Sequence, residues 1–389
     1  MSLALPPLSL YVHMPWCVRK CPYCDFNSHA APELVPQAQY IDALLEDLQN
    51  DLAAVQGRAL TSIFFGGGTP SLFAPDQIGR LLEGVRRYLP FDPSIEITLE
   101  ANPGTIEHGR FSGYRDAGVN RVSLGAQTFN EEHLKLLGRI HGAGDIGRAV
   151  DELSQAGLDN FNLDLMYGLP AQSVGQALRD LETALALEPA HMSQYQLTLE
   201  PGTVFYHRPP PLPDQDDCWQ MQIESQELLA TRGFDQYEVS AYARAGRRSR
   251  HNLNYWQFGD YIGIGAGAHG KLTQLGDGAA IVRTTRVKQP REYLSRAADL
   301  RISERRTVPA EDLPFEFMLN GLRLIDGFDE RAFEARTGLS FAVLEPNLAK
   351  AERKGLLEHD SDRHWRATPD GQRFLNDLQE LFLPEPSEG

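Results

Sequence analysis

The first two hundred residues alternate short apolar runs with amphipathic ones, and few folds accept that order. Strand patterns occur at 9–13, 62–66, 95–101, 121–126, 160–166 and 192–199. Helical patterns fall between them at 36–55, 75–88, 106–117, within 130–156, and at 175–187. In the first of these, Tyr40, Leu44, Leu45, Leu48 and Leu52 repeat at helical spacing and form one apolar face. Strands alternating with helices predict an α/β fold with a parallel sheet and right-handed crossovers. A doubly wound open sheet is the alternative. The polar residues favour a barrel: Gly66 to Thr69, Glu100, Gln127, Asp164 and Thr198 fall at or near strand C-terminal ends, which meet on one rim in a (β/α) barrel.

The pattern predicts three domains. Residues 1–207 form the barrel. The proline run from Pro209 to Pro213 then opens an α+β extension over 208–301, with a helix near 216–231, a strand near 236–241 and a glycine-rich stretch at 259–270. Residues 302–389 read as three helices, a hairpin at 356–359 and 364–367, and a last helix, an order that resembles a winged helix. This unit mixes acids and bases without a basic recognition face, which favours protein over DNA as its contact.

The formal net charge of -16 repels phosphate backbones and argues against nucleic acid as a general partner. The densest local basic patch is Arg244, Arg247, Arg248 and Arg250. No run of 18 apolar residues predicts a membrane span, and the first fifteen residues lack a secretory pattern. Few, clustered cysteines suit a reducing cytoplasm.

Three of the four cysteines, Cys17, Cys21 and Cys24, are spaced C-x3-C-x2-C, with Cys218 far away. Three thiolates on a short loop can hold three irons of a cubane cluster and leave the fourth without a protein ligand. Zinc is the alternative, completed by His13, His29 or Cys218. Arg19 and Lys20 add positive charge that favours thiolate. After Phe64-Phe65 come Gly66, Gly67, Gly68 and Thr69, which would let a ligand approach bare backbone; no Gly-Lys-Ser/Thr follows, so a phosphate loop fits poorly. Glu100, Gln127, Arg139 and Asp164 each have an ordinary structural explanation, although an acid inside the apolar 161–166 strand needs a partner. His251-Asn252-Leu253-Asn254-Tyr255-Trp256 can be an iron-binding histidine among aromatics or a polar turn anchored in the core.

The cysteine spacing resembles that of the radical S-adenosylmethionine (SAM) superfamily, whose fold is a six-stranded partial barrel. The resemblance implies a [4Fe–4S] cluster on Cys17, Cys21 and Cys24, with SAM chelating the open iron. Tyr23 holds the aromatic position beside the adenine. Implied SAM contacts are Tyr11, Tyr23, Gly67, Gly68, Thr69, Glu100, Gln127, Arg139 and Asp164. Tyr11-Val12-His13-x-Pro15, Glu100-Ala101-Asn102-Pro103, Ser123-Leu124-Gly125-Ala126-Gln127, Tyr167-Gly168-Leu169-Pro170 and the 263–270 stretch resemble the oxygen-independent coproporphyrinogen III oxidase (HemN-like) family over nearly the whole chain. One branch of that family is the oxidase. The other consists of heme-binding proteins regarded as heme chaperones. The oxidase has a fourth cysteine where this chain has Phe26, and the chaperone branch carries H-N-x-x-Y-W, matched at 251–256. The resemblance therefore implies heme contact at His251 and delivery to an acceptor hemoprotein such as a respiratory enzyme. The cluster would then serve a homodimer or the handover. Membrane association would be peripheral, through a partner. Thr198 and His269 fall where the oxidase branch contacts a SAM. Decarboxylation of coproporphyrinogen III and radical modification of RNA are the rival activities.

Overall fold

The computed structural model describes residues 3–104, 109–361 and 363–384. All six expected strands form: β1 (Leu8–Met14), β2 (Leu60–Gly67), β3 (Phe91–Ala101), β4 (Arg121–Gln127), β5 (Phe161–Tyr167) and β6 (His191–Gln196). They lie side by side in chain order and pair in parallel throughout. Their two faces differ in chemistry. Leu10, Val12, Ile63, Phe65, Leu99, Val122, Leu124 and Leu163 point one way into the main apolar core. Ser9, Tyr11, Ser62, Thr98, Glu100, Arg121, Ser123, Asn162, Asp164 and His191 occupy the alternate positions. The curled sheet therefore packs its apolar face under the helices and encloses a polar interior.

The helix Pro75–Tyr88 has its expected bounds. The 36–55 pattern forms Gln37–Leu48 and Leu52–Val55, separated by a 3-10 turn, and the 130–156 pattern forms two helices, Glu131–Leu136 and Ala143–Gln155. The helix expected from Ile106 is observed as Phe111–Ala117; 106–108 lie outside the described residues.

After residue 208 the expected helix forms as Gln215–Thr231, but the strands depart from expectation. The strand expected at 236–241 is two strands, β7 (Asp235–Glu238) and β8 (Ala241–Ala243), with β8 running antiparallel to β6. The glycine-rich stretch contains β9 (Asp260–Ile264), which pairs in parallel with the free side of β1. Gly263 is required there: a Cβ on it would sit 1.9 Å from the carbonyl oxygen of His269. β10 (His269–Gln274), β11 (Ala280–Arg286) and β12 (Ile302–Thr307) continue antiparallel, giving one twelve-stranded sheet among the described residues. The extension thus grows from both edges of the barrel sheet. Ile302–Thr307 is this sheet's edge strand and not the start of the C-terminal unit.

That unit has its own core of Phe317, Phe333, Phe341, Leu344, Leu348 and Trp365. Helices Leu313–Gly321, Glu330–Thr337 and Glu345–Arg353 precede the hairpin Leu357–His359 and His364–Ala367. Phe328–Asp329 adds a third strand to that hairpin, as in a winged helix. No helix is long and apolar enough to cross a membrane among the described residues.

Candidate functional site

The cysteine loop leaves the C-terminal end of β1 and is tied down on both sides. His29 N–H donates to Pro15 O at 2.7 Å and Ala31 N–H to Cys17 O at 2.8 Å. On the other side Gly68 N–H donates to Met14 O at 2.7 Å and Thr69 N–H to Trp16 O at 2.8 Å. Asn27 pins the loop to the extension, its amide donating to Ala266 O at 2.8 Å and Lys288 O at 2.9 Å. Cys17, Cys21 and Cys24 are free and half-buried, and Cys21 lies close enough to Cys17 and Cys24 to raise their thiol pKa electrostatically. Burial is the larger cause and pushes Cys17 and Cys24 upward. Lys20 pulls Cys24 down, as its charge suggests, but is outweighed.

The zinc alternative lacks a fourth donor. His13 donates from Nε2 to Asn27 O at 2.9 Å, so its Nδ1 accepts from the Tyr11 hydroxyl at 3.0 Å. His29 Nε2 bonds Asn27 Oδ1 at 3.3 Å, and Cys218 is buried against Gly168. Among the described residues no three His, Cys, Asp or Glu side chains are gathered to hold a single ion. A multi-iron cluster suits the three thiols better, because it spreads its sulfur ligands more widely than one ion does.

The strand ends complete a rim around the thiols. Gly67 has φ +110°, and a Cβ there would lie 2.5 Å from the His13 ring. Its N–H donates to Glu100 Oε2 at 3.2 Å. Desolvation, then repulsion from Asp164, lifts the Glu100 carboxyl to about 8. Asp164 is also pushed up by burial, against donation from Ser123 Oγ at 3.0 Å and Asn162 Nδ2 at 2.8 Å. Arg139 Nη1 lies 3.8 Å from Cys21 Sγ, and its Nη2 donates to Gly125 O at 2.7 Å and to Asn102 Oδ1. Asn102 in turn donates to Thr69 Oγ1 at 3.0 Å. Gln127 ends β4 with φ +69°. Tyr23 packs 6.4 Å from the Phe205 ring. A cleft between Arg19, Thr69, Asn102, Gly138 and Arg139 opens on Cys21.

Bare backbone, two high-pKa carboxylates and an arginine therefore surround converging thiols. That donor set fits a cluster and a cationic amino-acid-like ligand. Two expected contacts stand apart. Thr198 lies beyond the end of β6 and is exposed. His269 opens β10, bonds Thr285 at 3.3 Å and is tied to the rim through its electrostatic effect on His13.

His251 sits on the short helix Arg250–Trp256, which plugs the barrel from below and is 2% exposed at that residue. Glu96 on β3 accepts from Arg250 N–H at 3.0 Å and His251 N–H at 3.1 Å, holding the helix start. The His251 ring stacks on Phe64 at 4.9 Å and lies 6.5 Å from Tyr11, so it shares the interior with the rim. The arginine patch beside it is largely spent on internal contacts: Arg248 pairs with Asp326, Arg250 donates to Ser94 and Arg244 covers Phe234. Sequence reasoning missed Asn102, Ser123, Asn162, Glu96 and Arg121. Their signal was the period-two recurrence of polar residues in strands that are otherwise apolar.

The chain matches the profile of the radical SAM superfamily over residues 11–184 and that of the HemN C-terminal domain over 308–382. It is 52% identical to the "Heme chaperone HemW" of Escherichia coli over 98% of this chain and 99% of that one. It is 34% identical to the Bacillus subtilis protein of the same name over 97% and 99%. It is 38% identical to the bovine "Radical S-adenosyl methionine domain-containing protein 1, mitochondrial" over 81% and 73%. Its fold superposes on that of Escherichia coli coproporphyrinogen III oxidase (HemN) with a TM-score of 0.80 at 23% identity, covering 97% and 90% of the two chains. With near-complete coverage at that identity, a cysteine loop opening on the barrel rim and a HemN C-terminal domain, the chain belongs to the HemW family of the radical SAM superfamily.

Proposed function

We propose that this chain is a cytoplasmic heme chaperone. Cys17, Cys21 and Cys24 hold a [4Fe–4S] cluster. Tyr11, Tyr23, Gly67, Gly68, Thr69, Glu100, Gln127, Arg139 and Asp164 contact SAM, with Thr198 and His269 as outlying contacts. His251 contacts heme, which passes to an acceptor hemoprotein. When bound, the cluster offers SAM an open iron and an electron. The protein's own part is positional: Gly67 and Gly68 present backbone, Glu100 and Asp164 receive positive charge, and Arg139 steadies Cys21. The observation that carries the heme assignment is His251, whose buried Nε2 has no partner among the described residues. Phe26, 59% exposed on the loop, leaves no thiol at the oxidase's fourth cysteine position.

Anaerobic reconstitution followed by heme titration, with and without SAM, tests this reading. Heme binds and coproporphyrinogen III gives no vinyl product; catalytic vinyl formation would reject the chaperone. Size measured with and without cluster reports whether two copies associate. In the same titration His251→Ala weakens heme binding while cluster iron is unchanged. Unaltered binding removes His251 from the site.

Glu100 gives SAM binding a pH dependence. Its folded pKa of about 8 lies above the ordinary value of 4.5. In the ligand-free protein its contribution is complete below pH 4.5 and is lost as pH rises through about 8. A cationic ligand favours the carboxylate, so binding expels a proton below that pKa. SAM affinity therefore rises with pH up to about 8, and Glu100→Gln flattens this rise. Isothermal titration at several pH values in buffers of different ionisation heat checks both affinity and proton release.

A further inference from the structure

The lower half of the barrel interior is polar, and most of its groups are paired. His191 bonds Asn162 Oδ1 at 2.6 Å and Tyr237 OH at 2.8 Å. Three groups are not. Arg121 Nε, Thr98 Oγ1 and His251 Nε2 are buried with no hydrogen-bond partner among the described residues. Arg121 is 2% exposed; Asp164 feels its charge, but that carboxylate already accepts from Ser123 and Asn162. A buried guanidinium with no carboxylate in ion-pair contact among the described residues is costly, so its retention points to a closer partner.

The three groups share one level. Thr98 and Arg121 are register neighbours on β3 and β4, and Phe64 is the neighbour of Thr98 on β2. His251 stacks on that same Phe64 and feels the charge of Arg121.

A relay fixes what His251 offers. The Asn254 amide donates to Asp260 O at 2.8 Å, which sets its orientation, and to Ser9 Oγ at 2.9 Å. Ser9 Oγ lies 2.7 Å from Ser62 Oγ, and Ser62 Oγ lies 3.0 Å from His251 Nδ1. If Ser9 donates to Ser62 and Ser62 to Nδ1, every hydroxyl proton in this buried chain is used. The reverse direction strands the Ser9 proton and leaves a bare Nε2 lone pair. The economical direction puts the histidine proton on Nε2. His251 then presents a donor beside a guanidinium and a hydroxyl, a set that suits an acceptor-only ligand.

We propose that Arg121, Thr98 and the Nε2–H of His251 form a buried receptor for a carboxylate, and that this carboxylate is a propionate arm of heme. The identity of the carboxylate rests on the chaperone reading; the receptor itself does not. His251 thus meets heme through its edge and not its iron, because a ligating nitrogen needs the lone pair that the relay denies to Nε2.

The test compares heme with heme dimethyl ester, whose propionates are blocked, on the full-length reconstituted protein. The ester binds wild type about tenfold to a hundredfold more weakly than heme does. Arg121→Gln binds heme as weakly as wild type binds the ester, and no longer distinguishes the two. Thr98→Val, nearly isosteric, shows a smaller loss. His251→Gln keeps an N–H donor and retains heme with an unchanged iron absorption spectrum. Equal affinity of wild type for heme and ester overturns the proposal, as does a spectrum altered in His251→Gln. The ester comparison needs no variant, so it stands even if Arg121→Gln folds poorly. If that variant folds, its ligand-free melting temperature rises; a fall marks a structural arginine and rejects the receptor. If wild type binds no heme at all, the chaperone reading fails by itself. Sodium propionate, against sodium chloride, then decides the receptor: a melting shift in wild type that is absent from Arg121→Gln keeps it, and no shift ends it.

Discussion

Cys21→Ala, reconstituted without air, loses nearly all of its cluster iron and its SAM binding together. The thiols are the loop's uncommitted soft donors among the described residues: His13 is occupied at both ring nitrogens and His29 bonds Asn27 Oδ1 at 3.3 Å. A cluster held at three points has no spare ligand, so removing one leaves two irons open. The fold survives, because Cys21 is only half-buried and the loop's anchors are backbone bonds and Asn27. Cys218→Ala is the control and retains full iron. Arg139→Ala is intermediate, with cluster affinity lowered about tenfold or more, since Arg139 orients Cys21 without ligating. Iron and sulfide per chain, with circular dichroism for folding, provide the readout. Full iron in Cys21→Ala would remove the loop from the cluster site.

Arg286→Met destabilises the protein by about 3–5 kcal/mol, the cost of stranding buried charge. Arg286 is 0% exposed on β11. It binds Asp47 Oδ1 at 3.0 Å and Asp51 Oδ2 at 2.5 Å, carboxylates at the end of and just after the helix Gln37–Leu48. Tyr293 OH and Gly265 N–H complete Asp47 at 2.8 and 3.2 Å. Methionine fills the volume but leaves Asp47 without its cation and Asp51 with Arg305 alone, at 3.0 Å. The effect reaches the site, because Asp47 holds Gly265 and the next residue, Ala266, accepts from Asn27 of the cysteine loop. Arg296→Met, at an exposed pair with Glu292, changes stability by less than about 0.5 kcal/mol. Denaturant midpoints of both variants, with cluster iron measured on the same samples, test the coupling. Equal midpoints would show that the buried cluster of charges does not hold the extension to the barrel.

The legible part of this protein was periodic or local. The 75–88 helix appeared with its expected bounds because proline opens it and one apolar stripe runs its length. Six strands were legible because each carries core-facing apolar residues at every second position over a short segment. β9 was not. Its five residues lie in a glycine-rich stretch, and nothing local says that it pairs with a strand more than two hundred residues earlier. Ile302–Thr307 went astray for a related reason, because an edge strand owes its place to its neighbour β11.

The sequence by itself determined the order of strands and helices, the thiols on one short loop and the polar residues at the strand ends. These follow from covalent spacing and from periods of two and 3.6 residues. Tertiary structure alone decided which distant groups share a dielectric environment. It set Asp164 against Glu100, Asp47 against Arg286, and the Asn254–Ser9–Ser62 relay against His251. Charge state, tautomer and unpaired donors depend on distances across the fold, and a linear chain does not specify these until it has closed.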